Sequence, residues 1–403
     1  MRPLDGIRVV ELSTYVAVPT AARMLADWGA EVIKIETLGG DGMREYGKNQ
    51  GLPADEGANP LFSVQNSGKL MLSLDLKDPD GKEVLMRLLE DADVFCTNVR
   101  LASIERMGLD YETLHARFPK LVYFHFSGFG YEGPDSGRPG YDAIAFWAQS
   151  GAMVDWPDPG STPLRPAPAF GDMVCAFSIL SGILGGLLHQ KKTGEGLRIT
   201  SSLLANGLWC NYSHLIAAQE GWETISFPRE IDSEHNPMTC PFKCADGRWL
   251  MLYLSFPGQF AACMKTLGLD KYIDDPRFSD WEHLNLHYKD LYRIFREHLR
   301  TKPSDYWAGK LLKEDLAHQI LCTTKEAGKS EQAWANGYLT RVKFPDGKEF
   351  VEPNSPVQFF GCDRAETTAA GNLGSDGRKI LARLSYSEED IQKLLRRGAV
   401  TIS

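Results

Sequence analysis

Through its first two hundred residues the chain alternates short apolar strands with helical stretches, and this order restricts its fold more than any other feature. Arg8 to Leu12 is a short apolar run, Pro19 to Trp28 a helix of small and apolar residues, and Glu31 to Glu36 a second strand. Leu70 to Leu76, a helix including Lys82 to Leu89, the strand Asp93 to Thr97, a helix near Tyr111 to Phe118 and the strand Leu121 to Phe126 continue the rhythm. Such an order implies an α/β fold: a large doubly wound, Rossmann-like domain whose parallel sheet is covered on both faces. Asp172 to Gln190 reads as a further helix, with cations in its last turn and Gly194 as its stop, and Leu197 to Thr200 as a strand.

From about Trp209 the alternation fails, because Tyr, Trp and Pro become frequent. We therefore divide the chain into a large α/β domain (1–200), a linker (201–225), a smaller α+β domain (226–321) and a C-terminal segment of again mixed structure (322–403). The small domain is expected to be helical from Phe256 to Arg300. In the tail, strands near Val342-Lys343-Phe344 and Glu349-Phe350-Val351 flank the turn Pro345-Asp346-Gly347, and Glu388 to Arg397 forms an amphipathic helix.

A length of 403 residues, 43% of them hydrophobic, suffices for two domains with buried cores. A net charge of −9 lacks the basic footprint of a nucleic-acid binder or a protein that coats anionic membranes, so local cations must hold any anionic ligand. The start, Met1 to Gly6, is not a secretory signal, and no apolar run reaches membrane-spanning length, since the longest, around Phe177 to Leu188, is broken by Ser and Gly. Eight scattered cysteines suit reduced thiols in a cytoplasm. The expected protein is cytoplasmic, with neither nucleic acid nor membrane as partner.

Several motifs promise more than their context supports. Gly128-Phe129-Gly130-Tyr131-Glu132-Gly133 fits a dinucleotide fingerprint, but the Pro134 to Gly140 loop follows where a helix must open toward the pyrophosphate. The first βα turn, Ser13 to Pro19, has no glycine to admit a phosphate. His283 and His287 share a helix face without the glutamate of a metalloprotease, and Cys240 and Cys244 have no second pair at zinc-finger spacing, so no metal site is expected. No Gly-x-Ser-x-Gly elbow is present.

The segment Pro166-Ala167-Pro168-Ala169-Phe170-Gly171-Asp172-Met173 sets an acid after a proline-constrained loop, just ahead of a long apolar helix. By spacing alone the plainer reading is that Asp172 caps that helix. The same position also suits a nucleophile, because a helix N-terminus stabilises an anion by ~0.3–1 kcal/mol and can offer amides to an adjacent oxyanion.

The whole chain resembles the class III coenzyme A transferases, the formyl-CoA and carnitine CoA transferase type. The resemblance runs through Pro3 to Leu12, Leu25 to Glu36, Leu74 to Lys77, Asp93-Val94 with Asn98, Arg106 to Leu109 and Ser127 to Gly130. It continues through Gly171-Asp172 and Thr193-Gly194-Glu195-Gly196. Ser330 to Leu339 and Phe344 to Gly347 most resemble the cinnamoyl-CoA:phenyllactate, 2-hydroxyacyl-CoA transferase branch. It implies that Asp172 is acylated, that Lys69, Asn98, Arg100 and Arg106 meet the nucleotide of coenzyme A, and that Val16 and Ala17 lie near its thiol end. Arg and Lys suit phosphate through charge-assisted hydrogen bonds. The formyl-CoA branch has Gln at Val16 and a basic residue at Ser127. Tyr141 and Asp142 are placed beside the bound carboxyl group. The resemblance also implies that the segment 322–403 returns to the large domain, and with it an interlocked homodimer, acyl-CoA and a free acid as substrates, and no permanently bound cofactor.

Three rivals share much of this pattern. A 2-methylacyl-CoA racemase needs a base on each face of its substrate, and Tyr141 stands where the relatives have histidine; a phenol of pKa ~10 exchanges protons poorly at neutral pH. An acyl-CoA hydrolase would use the same Asp172 and admit water. A noncatalytic CoA-binding scaffold would not need Asp172. The aromatic residues Trp209, Tyr212, Phe227 and Phe242 fit an apolar acyl group, the core or a dimer seam.

Overall fold

The computed structural model describes residues 1–157, 160–219, 237–363 and 365–403. Its strands are β1 (Arg8–Leu12), β2 (Glu31–Glu36), β3 (Leu70–Leu74), β4 (Val94–Thr97), β5 (Val122–Ser127), β6 (Arg198–Ser202), β7 (Pro241–Lys243), β8 (Trp249–Leu252), β9 (His318–Ile320), β10 (Leu339–Lys343), β11 (Glu349–Pro353) and β12 (Val400–Thr401). Two compact units result, Met1–Ser226 with Glu331–Ser403, and Phe227–Ser330.

In the first unit seven strands form one sheet in the order β12-β3-β2-β1-β4-β5-β6. β1 pairs in parallel with both β2 and β4, so that Val9 lies opposite Val32 on one side and Val94 on the other. Neighbouring residues on a strand serve opposite cores, as a sheet covered on both faces requires. Val9, Cys96 and Phe124 join the Ala17–Asp27 and Phe170–Thr193 helices on one face. Val10, Phe95 and Tyr123 meet the Pro79–Glu90 helix and the terminal helices Gly377–Arg383 and Glu388–Arg397 on the other. β12 closes the β3 edge antiparallel, with Val400 opposite Leu74. Because β2 and β3 lie on one side of β1 and β4 to β6 on the other, the strand order reverses between β1 and β4. That reversal opens a crevice at the carboxyl ends of the strands.

Two expectations for this unit change. The 201–225 segment contains the Leu203–Cys210 and Tyr212–Ala217 helices rather than a linker. Ser202 caps the first by accepting the Ala205 amide, and Gly207 lies so close to the Phe146 backbone that a Cβ would sit 2.3 Å from its carbonyl oxygen. Residues 220–236, which include Phe227 and the boundary placed at 226, lie outside the described residues. The Phe170–Thr193 helix is also long and apolar enough to cross a membrane by length and composition, because its Ser and Gly interruptions leave the mean hydropathy high. Here its glycines dock it on the sheet: a Cβ on Gly182 would meet the Phe124 ring at 2.7 Å, and one on Gly186 would meet Val122 at 2.5 Å.

The second unit is built on the antiparallel sheet β7-β8-β9 and the helices Phe260–Leu267, Trp281–Leu299 and Ser304–Lys313. Leu284, Leu291, Phe295 and Leu299 form the buried stripe of the longest helix, whose N-terminus Asp280 caps through the His283 amide. Phe242 packs against Phe295 and Tyr292 and is core. The helical part expected from Phe256 to Arg300 consists of the Phe260–Leu267 and Trp281–Leu299 helices, separated where Gly268 turns left-handed (φ 75°) and Pro276 starts a separate short turn.

Candidate active site

Asp172 occupies the first turn of the Phe170–Thr193 helix, and the helix is entered through Ala169 at φ 58°, without a side-chain cap of its own. The cap comes from elsewhere in the chain. Asp142 Oδ2 accepts the Gly171 amide at 3.2 Å, so the capping role that spacing suggested for Asp172 belongs to Asp142. Position 171 must be glycine for this approach, because a Cβ there would lie 2.3 Å from Asp142 Oδ1 and 2.6 Å from the Phe146 ring. Asp142 opens the π-helical segment Asp142–Ala148, anchored by the buried Phe146 and Trp147. The first-turn amide is thereby taken by Asp142 rather than left for an oxyanion.

The Asp172 carboxyl accepts no hydrogen bond from the described residues. Burial, and secondly the charge of Asp142, push it up to about 7. Burial also raises Asp142, opposed by the Gly171 and Asp172 amides and the Trp147 indole. Asp172 thus retains its proton well above the usual carboxylate range, and Asp142 is shifted in the same direction.

Asp172 and Asp142 line a cleft of about 640 Å³ at the strand-order reversal, together with Tyr15, Val16 and Ala17 after β1, Asn98, Arg100 and Arg106 after β4, and Tyr141. Val16 and Ala17 are buried at the start of the Ala17–Asp27 helix. Asn98 stitches the two loops together: its Oδ1 accepts the Thr14 amide at 3.0 Å and its Nδ2 donates to the Thr14 carbonyl at 2.8 Å. Arg100 and Arg106 are exposed, and Arg106 donates to Ser103.

Lys69 is not part of this cleft. Its buried ammonium donates to the Pro19 carbonyl at 2.8 Å and Asn66 Oδ1 at 2.9 Å, and pairs with Glu11 at 2.6 Å. With three partners and no exposure it has no N–H left for a phosphate, so its expected place at the nucleotide is corrected.

The structure adds residues that spacing did not single out. Tyr15 holds the left-handed φ of 64° and packs edge-on against Tyr141, their ring centroids 6.2 Å apart. His125 on β5 donates from Nε2 to the Val99 carbonyl at 2.8 Å, burial lowers its pKa, and its Nδ1 has no partner among the described residues. Arg138 lies over the Phe129 ring and pairs with Asp135. Neither a lone strand histidine nor an aromatic after a strand carries a distinctive spacing.

The first glycine of the dinucleotide-like motif has a different use. A Cβ on Gly128 would lie 2.7 Å from the Gly140 Cα, so two backbones cross there, delivering Tyr141 and Asp142 to the cleft. In the second unit His283 faces Asp280 at 2.8 Å, and Cys240 and Cys244 are buried.

Residues 4–377 match the model of CoA-transferase family III. The chain is 34% identical to the (R)-2-hydroxy-4-methylpentanoate CoA-transferase of Clostridioides difficile, over 96% of this chain and 97% of that one. It is 32% identical to the cinnamoyl-CoA:phenyllactate CoA-transferase of Clostridium sporogenes, over 97% and 95%. A crystal structure of a CAIB/BAIF family protein from Brucella suis superposes with a TM-score of 0.81 at 25% identity, covering 95% of this chain and 99% of that one. A sheet that reverses its strand order beside an uncommitted aspartate, in a chain matched almost end to end, belongs to CoA-transferase family III, and the protein is a class III CoA-transferase.

Proposed function

We propose that the enzyme transfers coenzyme A between carboxylic acids through covalent intermediates on Asp172, and that its acids are 2-hydroxy, 2-enoyl or aryl acids. One observation carries the assignment: Asp172 lines the cleft with a carboxyl that no described hydrogen bond occupies, while the structural capping role beside it is filled by Asp142. The names of the two relatives support the substrate class.

In this reading an ionised Asp172 oxygen attacks the thioester carbonyl of the donor. The C–S bond breaks, leaving an aspartyl acyl anhydride and the CoA thiolate. The thiolate attacks the aspartyl carbonyl and the donor acid departs as carboxylate, leaving an aspartyl-CoA thioester. The acceptor carboxylate attacks that thioester to form a second anhydride, and the returning thiolate takes the acceptor acyl group and frees Asp172. No proton is gained or lost over the cycle. Water must be excluded while an anhydride exists. Arg100 and Arg106 are assigned to the phosphates, Val16 and Ala17 to the pantetheine end, and Tyr141 and Asp142 to the surroundings of the reacting carboxyl. The enzyme needs no permanent cofactor, works in the cytoplasm and forms a homodimer, to which the exposed apolar side chains Phe177, Leu188, Trp209 and Ile216 are assigned.

The test is incubation of acyl-CoA donors with free acids, with new thioesters followed by mass spectrometry. Transfer is expected to require both the acceptor and Asp172, with Asp172→Ala losing at least about a thousandfold, the scale of removing a covalent nucleophile. Free CoA without an acceptor product would mean a hydrolase. Deuterium uptake at the α-carbon without transfer would mean a racemase.

A further inference from the structure

Tyr15 adopts a backbone conformation that a bulky side chain rarely takes, and three features hold it there. Its amide donates to Asp41 Oδ1 at 3.0 Å, and Asp41 Oδ2 is 3.0 Å from the buried Lys34 ammonium. Its phenol lies over Gly42, where a Cβ would come within 2.8 Å of the hydroxyl oxygen and 3.0 Å of Cζ. Its ring meets Tyr141 at an interplanar angle of 87°. Strain retained by surrounding structure is characteristic of functional sites. Here it leaves Tyr15 41% exposed and Tyr141 56% exposed on the same cleft as Asp172.

The connection to the reacting carboxyl is short. Tyr141 is followed by Asp142, whose carboxylate holds the amide of the residue before Asp172. The Tyr15 hydroxyl is turned toward Gly42, so the ring rather than the phenol oxygen is what this side chain can offer an acyl group.

We infer that Tyr15, braced by Gly42 and paired with Tyr141, is a specificity-determining residue that favours acids with an aryl or bulky apolar side chain. The inference rests on the transferase reading and narrows its substrate class. Aromatic contact supplies the preference, and it is sensitive to the position of the ring.

The test measures kcat/KM for two acceptors, 3-phenyllactate and lactate, which differ only by the phenyl group, with one donor thioester. Wild type is expected to prefer phenyllactate. Tyr15→Phe keeps that ratio, and Tyr15→Ala lowers it by about tenfold, the scale of a lost aromatic contact. Gly42→Ala, at a backbone φ of −54° that alanine adopts freely, displaces the ring and lowers the ratio in the same direction. A wild type without the preference, or a Tyr15→Ala variant that retains it, overturns the assignment while transfer itself stands. A wild type that makes no thioester from any acid overturns the transferase reading and this inference with it.

Discussion

Asp172 and Asp142 set a pH dependence that can be worked out in sign. Asp172 is raised from its ordinary 3.8 to about 7, by burial first and Asp142 second. Between those values the folded state holds a proton that the unfolded state has released, so stability falls as pH rises through this window. Below 3.8 the carboxyl is protonated in both states and nothing is lost. Asp172→Asn is therefore expected to stabilise the fold by about 1–3 kcal/mol at pH 8 and by far less at pH 4, as read from urea unfolding at the two pH values. The proposed chemistry needs the carboxylate, so transfer should rise with pH toward a plateau above about 7. Asp142→Asn keeps an oxygen for the Gly171 amide but removes the charge, and should move that rise to lower pH. Removing the cap oxygen instead, as in Asp142→Ala, costs about 0.5–2 kcal/mol of stability on top.

At the scale of elements, the first two strands are tied by charges rather than by apolar contact alone. Lys34 on β2 donates to Glu11 Oε1 on β1 at 3.1 Å and to the Ser13 carbonyl at 3.0 Å, and pairs with Asp41. Burial raises Glu11, but Lys34 and Lys69 outweigh it and hold the carboxylate down to about 2. Lys34→Met would leave Asp41 buried without its cation and Glu11 with only one, at a cost of about 3–5 kcal/mol in urea unfolding. Read as a sequence, Glu31-Val32-Ile33-Lys34-Ile35-Glu36 suggests a strand with Lys34 among its polar positions. Its burial depends on Glu11, twenty-three positions away, and on Asp41 in the following loop. Lys69 is misplaced by the resemblance for the same reason: its partners, Glu11 and the Pro19 carbonyl, come from β1 and the helix after it.

For the whole molecule, the proposed homodimer has a direct measure. Trp209 is 81% exposed and Ile216 59% exposed, on the two helices that replace the expected linker. Sedimentation equilibrium should return about twice the chain mass of 44.9 kDa. Ile216→Glu, which buries a charge if the face is covered, should shift material out of the dimer. A folded species of single-chain mass at micromolar concentration would refute the dimer.

Period and local spacing reach only a few residues along the chain, and what they encode was legible. The strands β1 to β6 and the helices between many of them follow from the alternation of short strand-like and helical stretches, and the terminal helix Glu388–Arg397 falls where its pattern places it. Asp172 stands out because a constrained loop, an acid and an apolar helix are contiguous, but spacing alone points to a helix cap, and only the family resemblance points to a nucleophile. Tertiary structure decided which carboxylate caps that helix, why Gly128 and Gly140 are glycines, how Tyr15 is held, and that Lys69 is an internal cation. Each of those outcomes joins groups distant in sequence, through backbone crossings, burial or ion pairs. Their energies exist only once the fold has excluded water from between them.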